Sequence, residues 1–175
     1  MFFEDAKIAS QELNLVLTGR SAGVEEKVPM CGIPYHAANS YIQRLVKKGY
    51  KVAICEQLSD PSQSKGLVDR GIIKIITPGT YMDSALDEKQ TNYMASVSVS
   101  SFEIVVIYCE LSTGELKYQT LERSLVSLQK ALMEQHVSEV VLPMSFDKRW
   151  LNAFEEMDSI LVSLQKKASL DSEDE

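Results

Sequence analysis

Apolar and polar positions alternate between two periods along this chain, and the change of period marks the elements. Over residues 4–14, Ala6, Ala9 and Leu13 fall on one helical face, with Glu4 and Asp5 in the first turn. Leu15-Val16-Leu17-Thr18 reads as a short apolar strand, and residues 19–27 as a polar loop containing glycine. Asn39-Ser40 is placed to cap a helix over residues 41–48 that Gly49 stops. Residues 50–56 read as a buried strand through Val52, Ala53 and Ile54. Residues 59–66 form a loop, and residues 72–76 form a β-branched strand with Lys74 at its centre.

The pattern changes after the Pro-Gly turn of Thr77-Pro78-Gly79-Thr80 and a polar stretch without alternation. Residues 93–99, 103–111 and 116–121 predict three successive strands. A helix follows from Ser124 to about His136, with Val126, Leu128, Leu132 and Met133 on its apolar face. Residues 139–142 predict a short buried strand, and Asp147 starts a last helix carrying Trp150, Leu151 and Phe154. The fold class expected is α/β in two units: residues 1–80, a linker over 81–91, and residues 92–175. Three strands, then helix, strand and helix, is the opening order of an RNase H-like fold. The first unit, where strands alternate with helices, is expected to hold a partly parallel, mixed sheet.

Charge sharpens this division. Residues 1–77 carry a net of +2 and residues 78–175 a net of -9, which together give the chain its -7. Only the first unit is electrostatically compatible with a polyanion. Hydrophobic residues at 45% exclude a disordered chain, and no apolar run approaches the ~20 residues of a membrane helix. Met1-Phe2-Phe3-Glu4-Asp5 carries acid where a secretory signal carries bases, and Cys31, Cys55 and Cys109 make no disulfide framework. A cytoplasmic location without membrane attachment is therefore expected.

Catalytic signatures are scarce. The chain has no GxxxxGK[ST], GxGxxG, GxSxG or HExxH. Cys31 and His36 lie close in sequence, but no third group orients them as nucleophile and base, and a small buried cysteine beside a loop histidine is the simpler reading. Glu103, Glu110 and Glu115 are the carboxylates an RNase H-like nuclease would need to cluster; the plainer reading is solvated strand ends. Arg44, Lys47, Lys48 and Lys51 gather at a helix C-terminus, where the dipole favours cations. Arg20, Lys65 and Arg70 have no such local explanation and are candidates for phosphate contact. Phe2-Phe3-Glu4 offers aromatics that are able in principle to unstack a duplex, although one Phe of such a pair on a helix more often faces the core.

Pro29-Met30-Cys31-Gly32-Ile33-Pro34-Tyr35-His36-Ala37 resembles the PMxGIPYHA signature of the MutS family of DNA mismatch-repair proteins. Val52-Ala53-Ile54-Cys55-Glu56-Gln57, Asp60-Pro61, Ser64-Lys65-Gly66 and Ile76-Thr77-Pro78-Gly79-Thr80 follow in the family's order. The resemblance is dense over residues 1–80 and loose beyond residue 92. It implies a mixed-sheet mismatch-recognition domain followed by part of an RNase H-like connector. It also implies mismatched double-stranded DNA, a second MutS copy and MutL as partners. Thr18 and Arg20 then match the strand and loop that approach the DNA backbone, and Lys65 and Arg70 match a loop near phosphate.

The family kinks DNA with a Phe from a Phe-x-Glu motif, in a run reading roughly Gly-Asp-Phe-Tyr-Glu-Met-Phe-Phe-Glu-Asp-Ala. Residues 1–6 match its second half, so the wedge falls immediately before Met1, and Phe2-Phe3-Glu4 sits one helical turn later. The expectation is a fragment that lacks the wedge, the domain's first strand and the family's ATPase. Weak, non-selective DNA binding and no enzymatic activity follow. No cofactor or metal is expected in these residues, because ATP and magnesium belong to the ATPase. The alternative expectation is a protein-interaction module, the connector half contacting MutL or another MutS domain.

Overall fold

The structure, a computed structural model, describes residues 1–21, 27–58, 69–82, 91–157 and 159–166. It divides into two compact units, Met1–Ile76 and Thr77–Glu175. Most of the expected linker, residues 83–90, lies outside the described residues, as does Lys65.

The first unit is built from helix α1 (Phe3–Leu13), strands β1 (Thr18–Arg20) and β2 (Val28–Met30), helix α2 (Ala38–Lys47), and strands β3 (Val52–Gln57) and β4 (Arg70–Ile76). Ala6, Ala9 and Leu13 of α1 are buried with Cys31, and Leu15, Tyr41 and Leu45 pack against them. The helical spacing of the apolar positions thus does what it predicts. Asn14 ends α1 in the left-handed conformation that asparagine tolerates.

Three expectations for this unit change. Val16 and Leu17 are exposed and lie outside any strand; β1 begins at Thr18, and β2 is an additional strand paired with it. Helix α2 begins at Ala38 after a single 3-10 turn, and the Ser40 hydroxyl donates back to the Ala37 carbonyl instead of capping. The described strands pair only antiparallel, as two separate ribbons, β1–β2 and β3–β4. The β3–β4 ribbon is open on both sides, so Ala53 is exposed and Val52 and Ile54 are half-buried.

The mixed sheet lies in the second unit. Strands β5 (Tyr93–Val99), β6 (Glu103–Glu110), β7 (Glu115–Glu122), β8 (Val137–Pro143) and β9 (Leu161–Gln165) lie in the order β7-β6-β5-β8-β9. The first three pair antiparallel, while β5–β8 and β8–β9 pair parallel. Helices α3 (Leu125–Glu134) and α4 (Lys148–Glu155) connect the parallel strands. This is the strand order 3-2-1-4-5 of an RNase H-like sheet. Strands β5 and β6 alternate buried and exposed, sending Tyr93, Ala95, Val97, Ile104, Val106 and Tyr108 into a core shared with Leu128, Leu132, Trp150 and Phe154. Helix α3 turns differently from expectation: Ala131 is buried with Leu128 and Leu132, and Val126 and Met133 are exposed. Asp147 caps α4 by accepting from the Arg149 amide, 2.9 Å.

Of the three carboxylates weighed for nuclease chemistry, Glu110 and Glu115 are engaged in structural hydrogen bonds and Glu103 is exposed. Glu110 is buried and accepts from the hydroxyl and amide of Thr113 and of Ser112, which closes the β6–β7 turn. Those bonds, first among them the Thr113 hydroxyl, hold its carboxyl down to about 2. Glu115 accepts from the Tyr93 hydroxyl at 2.7 Å, and Glu103 pairs with Glu122 at the other end of the ribbon. Among the described residues no three metal-binding side chains cluster.

Glu110→Gln is expected to cost ~2 kcal/mol at neutral pH, since hydrogen bonds to a charged group are lost. Because the folded pKa lies below the unfolded one, the wild-type advantage is complete above about 4.5 and is lost as pH falls toward about 2. Denaturant midpoints of both proteins at neutral and acid pH check this, with the gap closing on acidification.

Candidate nucleic-acid interface

The β1–β2 ribbon presents the candidate contacts of the first unit. Thr18 pairs with Met30, Gly19 with Pro29 and Arg20 with Val28. Thr18 and Arg20, two positions apart, project from one face of β1, and both are exposed. The Thr18 hydroxyl donates to the Met30 carbonyl at 2.9 Å, so its proton braces the ribbon.

Gly19 is required here by a neighbour. A Cβ at this position would sit 2.8 Å from the Cβ of Lys27 and 3.3 Å from its Cδ. The Lys27 stem therefore lies across Gly19, on the ribbon face opposite Thr18 and Arg20. Lys27 is not among the site residues expected from sequence; a glycine inside a short strand is the signal for such a close approach.

Arg70 opens β4 opposite Gln57 and is exposed. It belongs to the other ribbon, so the structure brings Thr18 and Arg20 together and leaves Arg70 on a separate element. The basic group at the end of α2 is partly accounted for by packing. Arg44 donates to the Leu13 carbonyl at 3.3 Å, and Lys48 donates to the Glu12 carbonyl at 3.0 Å and its carboxylate at 2.6 Å. These cations cap the carbonyl end of α1 as well as lying near the end of their own helix. The Lys48 and Tyr50 hydrogen bonds hold the Glu12 carboxyl below its ordinary value.

The aromatic pair faces outward. Phe2 is 44% exposed and forms an antiparallel bridge to Met30, and Phe3 is 64% exposed with φ +53°. The expected core position for one of them is not found: Ala6 and Ala9 fill the space beneath α1. Cys31 is buried and His36 exposed, so the thiol is placed as a packing residue.

The chain thus joins a first unit whose β1–β2 ribbon exposes Arg20 to a second unit with the RNase H-like strand order. Residues 1–85 match the model of MutS domain I. The match to this family covers just under half of the chain, its first 85 residues. A protein named "DNA mismatch repair protein MutS" from Clostridium botulinum (strain 657 / Type Ba4) is 65% identical over 116 residues, 66% of this chain and 12% of that protein. One of the same name from Clostridium kluyveri is 49% identical over 161 residues, 90% of this chain and 18% of that protein. The chain thus spans less than a fifth of the length of these relatives. A solved viral intasome bound to the PP2A subunit B56 gamma aligns at a TM-score of 0.31 and 11% identity over 45% of this chain and 36% of that one, too low to bear on function.

Proposed function

We propose that this chain serves DNA mismatch repair by binding duplex DNA through its first unit, as part of a MutS protein. The observation that carries the reading is the β1–β2 ribbon with Arg20 and Lys27 both exposed, in the segment matching MutS domain I. Arg20, Lys27 and Arg70 contact phosphates, and Thr18 keeps the ribbon in shape. Lys65 belongs to the same proposed set on resemblance alone. Phe2 is tied by its backbone to Met30, and Phe3 sits at the very start of α1, so neither is assigned as a base-step wedge. Binding by these residues is weak and indifferent to mispairs.

The chain acts here as a binding module, not an enzyme, with no cofactor of its own. Its setting is cytoplasmic; no helix among the described residues is long and apolar enough to cross a membrane. A second MutS copy and MutL are its proposed protein partners. The test is fluorescence anisotropy of a labelled matched duplex. Binding at low salt that weakens as salt rises supports the reading, and no binding at low salt overturns it.

A second reading rests on the sheet face away from α3 and α4. Ile107, Leu116 and Tyr118 are exposed there, 49%, 70% and 77%. Such a face suits the connector half to contact MutL or another MutS domain. Retention of the chain on immobilised MutL, unchanged by Arg20→Ala, favours this second reading.

A further inference from the structure

Thr77, Pro78 and Gly79 are buried, although a Pro-Gly turn between two units is ordinarily solvated. The turn closes on itself first: the Thr80 hydroxyl accepts from the Thr77 amide at 2.9 Å. Further bonds then tie residues 78–81 to the second unit. Asn92 donates to the Pro78 carbonyl at 2.7 Å and the Tyr81 carbonyl at 3.4 Å, and is itself held by accepting from Ser138. The Gly79 amide donates at 3.0 Å to Oε2 of Glu139, on β8.

Glu139 is 3% exposed and makes no salt bridge among the described residues. Its other oxygen accepts from the Ser163 hydroxyl on β9. Burying a carboxylate without a counter-ion is costly and persists where hydrogen bonds compensate it. Gly79 fits the same arrangement sterically. A Cβ there would lie 2.8 Å from the Glu139 Cβ and 3.2 Å from the Met94 methyl, so the turn backbone lies directly on the sheet.

We infer that Glu139 is a positioning residue that fastens the turn of residues 77–81 to β8 and β9, so that opening of this turn is governed by its carboxyl group and not by the turn's own bonds. This goes beyond DNA binding and does not depend on it.

The test uses the full chain with Glu139→Leu and Glu139→Gln. Leucine leaves the Gly79 amide and Ser163 hydroxyl unpaired. Glutamine rescues, because its carbonyl still accepts from Gly79 and its amide nitrogen donates to the Ser163 oxygen. Hydrogen exchange at Gly79 and Thr80 is expected to speed about ten- to hundredfold in Glu139→Leu and to stay near wild type in Glu139→Gln, with β5 and β6 amides unaffected. Unchanged turn exchange, or equal acceleration of β5 and β6 amides, overturns the inference. If Glu139→Leu does not fold, Ser163→Ala takes its place: turn exchange about threefold or more faster supports the inference, and an unchanged rate overturns it.

Discussion

Leu132→Ala is expected to destabilise the second unit by about 3 kcal/mol, more than the loss of any single hydrogen bond in that unit. Leu132 is fully buried on α3, inside the cluster that joins the helix to Ile104, Val106 and Val140 of the sheet. Truncation removes three carbons from a site walled by β-branched residues, which have little rotamer freedom to collapse into the cavity. Trp150, the chain's one tryptophan, belongs to the same cluster. Its fluorescence therefore reports unfolding of the second unit selectively. The denaturant midpoint read at Trp150 should fall with an unchanged slope. Signals from Ala6, Ala9 and Leu13 in α1 should keep their own midpoint, because those residues have a separate core. A common shift of both sets of signals would show the two cores to be one cooperative unit.

Arg20→Ala carries the second large effect. If Arg20 contacts one phosphate, its loss lowers affinity for matched duplex at low salt by roughly tenfold and reduces the magnitude of the salt slope by about 0.9. Lys27→Ala should also lower affinity and reduce the slope, since Lys27 is a second exposed cation beside this ribbon. Arg44→Ala should leave the slope unchanged, because its guanidinium is engaged with the Leu13 carbonyl. Titrations at several salt concentrations separate these outcomes. An Arg20→Ala protein with the wild-type slope removes the ribbon from the interface.

The parts of the fold that are legible in the sequence are those with one wet and one dry side. Ala6, Ala9 and Leu13 mark a helix because only one face of α1 packs, and β5 and β6 alternate because only one face of the sheet meets α3 and α4. The β3–β4 ribbon is different. With Ile72, Ile73 and Ile75 all more than half exposed, its apolar content carries no information about burial. Strand β9 is not legible, because its apolar run neighbours a helix of similar composition and lacks strict alternation. Only Glu139, which accepts from Ser163, explains a buried serine in its middle. On α3, Val126 and Met133 share the apolar character of Leu128 and Leu132, and only the position of the sheet decides which pair is covered.

The candidate site divides in the same way. Arg20 is legible as a cation that no local capping explains. Lys27 is not, since its approach to Gly19 depends on the pairing register of β1 with β2, which a three-residue ribbon does not encode in its pattern. The role of Glu12 in collecting Lys48 and Tyr50 from beyond α2 is equally invisible without the tertiary contact.

The central claim is that this chain grips the DNA backbone through cations of its first unit and does not itself select a mispair. Fluorescence anisotropy with a G·T duplex and its matched counterpart, at low and at physiological salt, tests it most directly. The account predicts weak binding, equal on the two duplexes and lost together as salt rises. A clear preference for the G·T duplex would contradict it and would assign the reading of the mispair to Phe2-Phe3-Glu4.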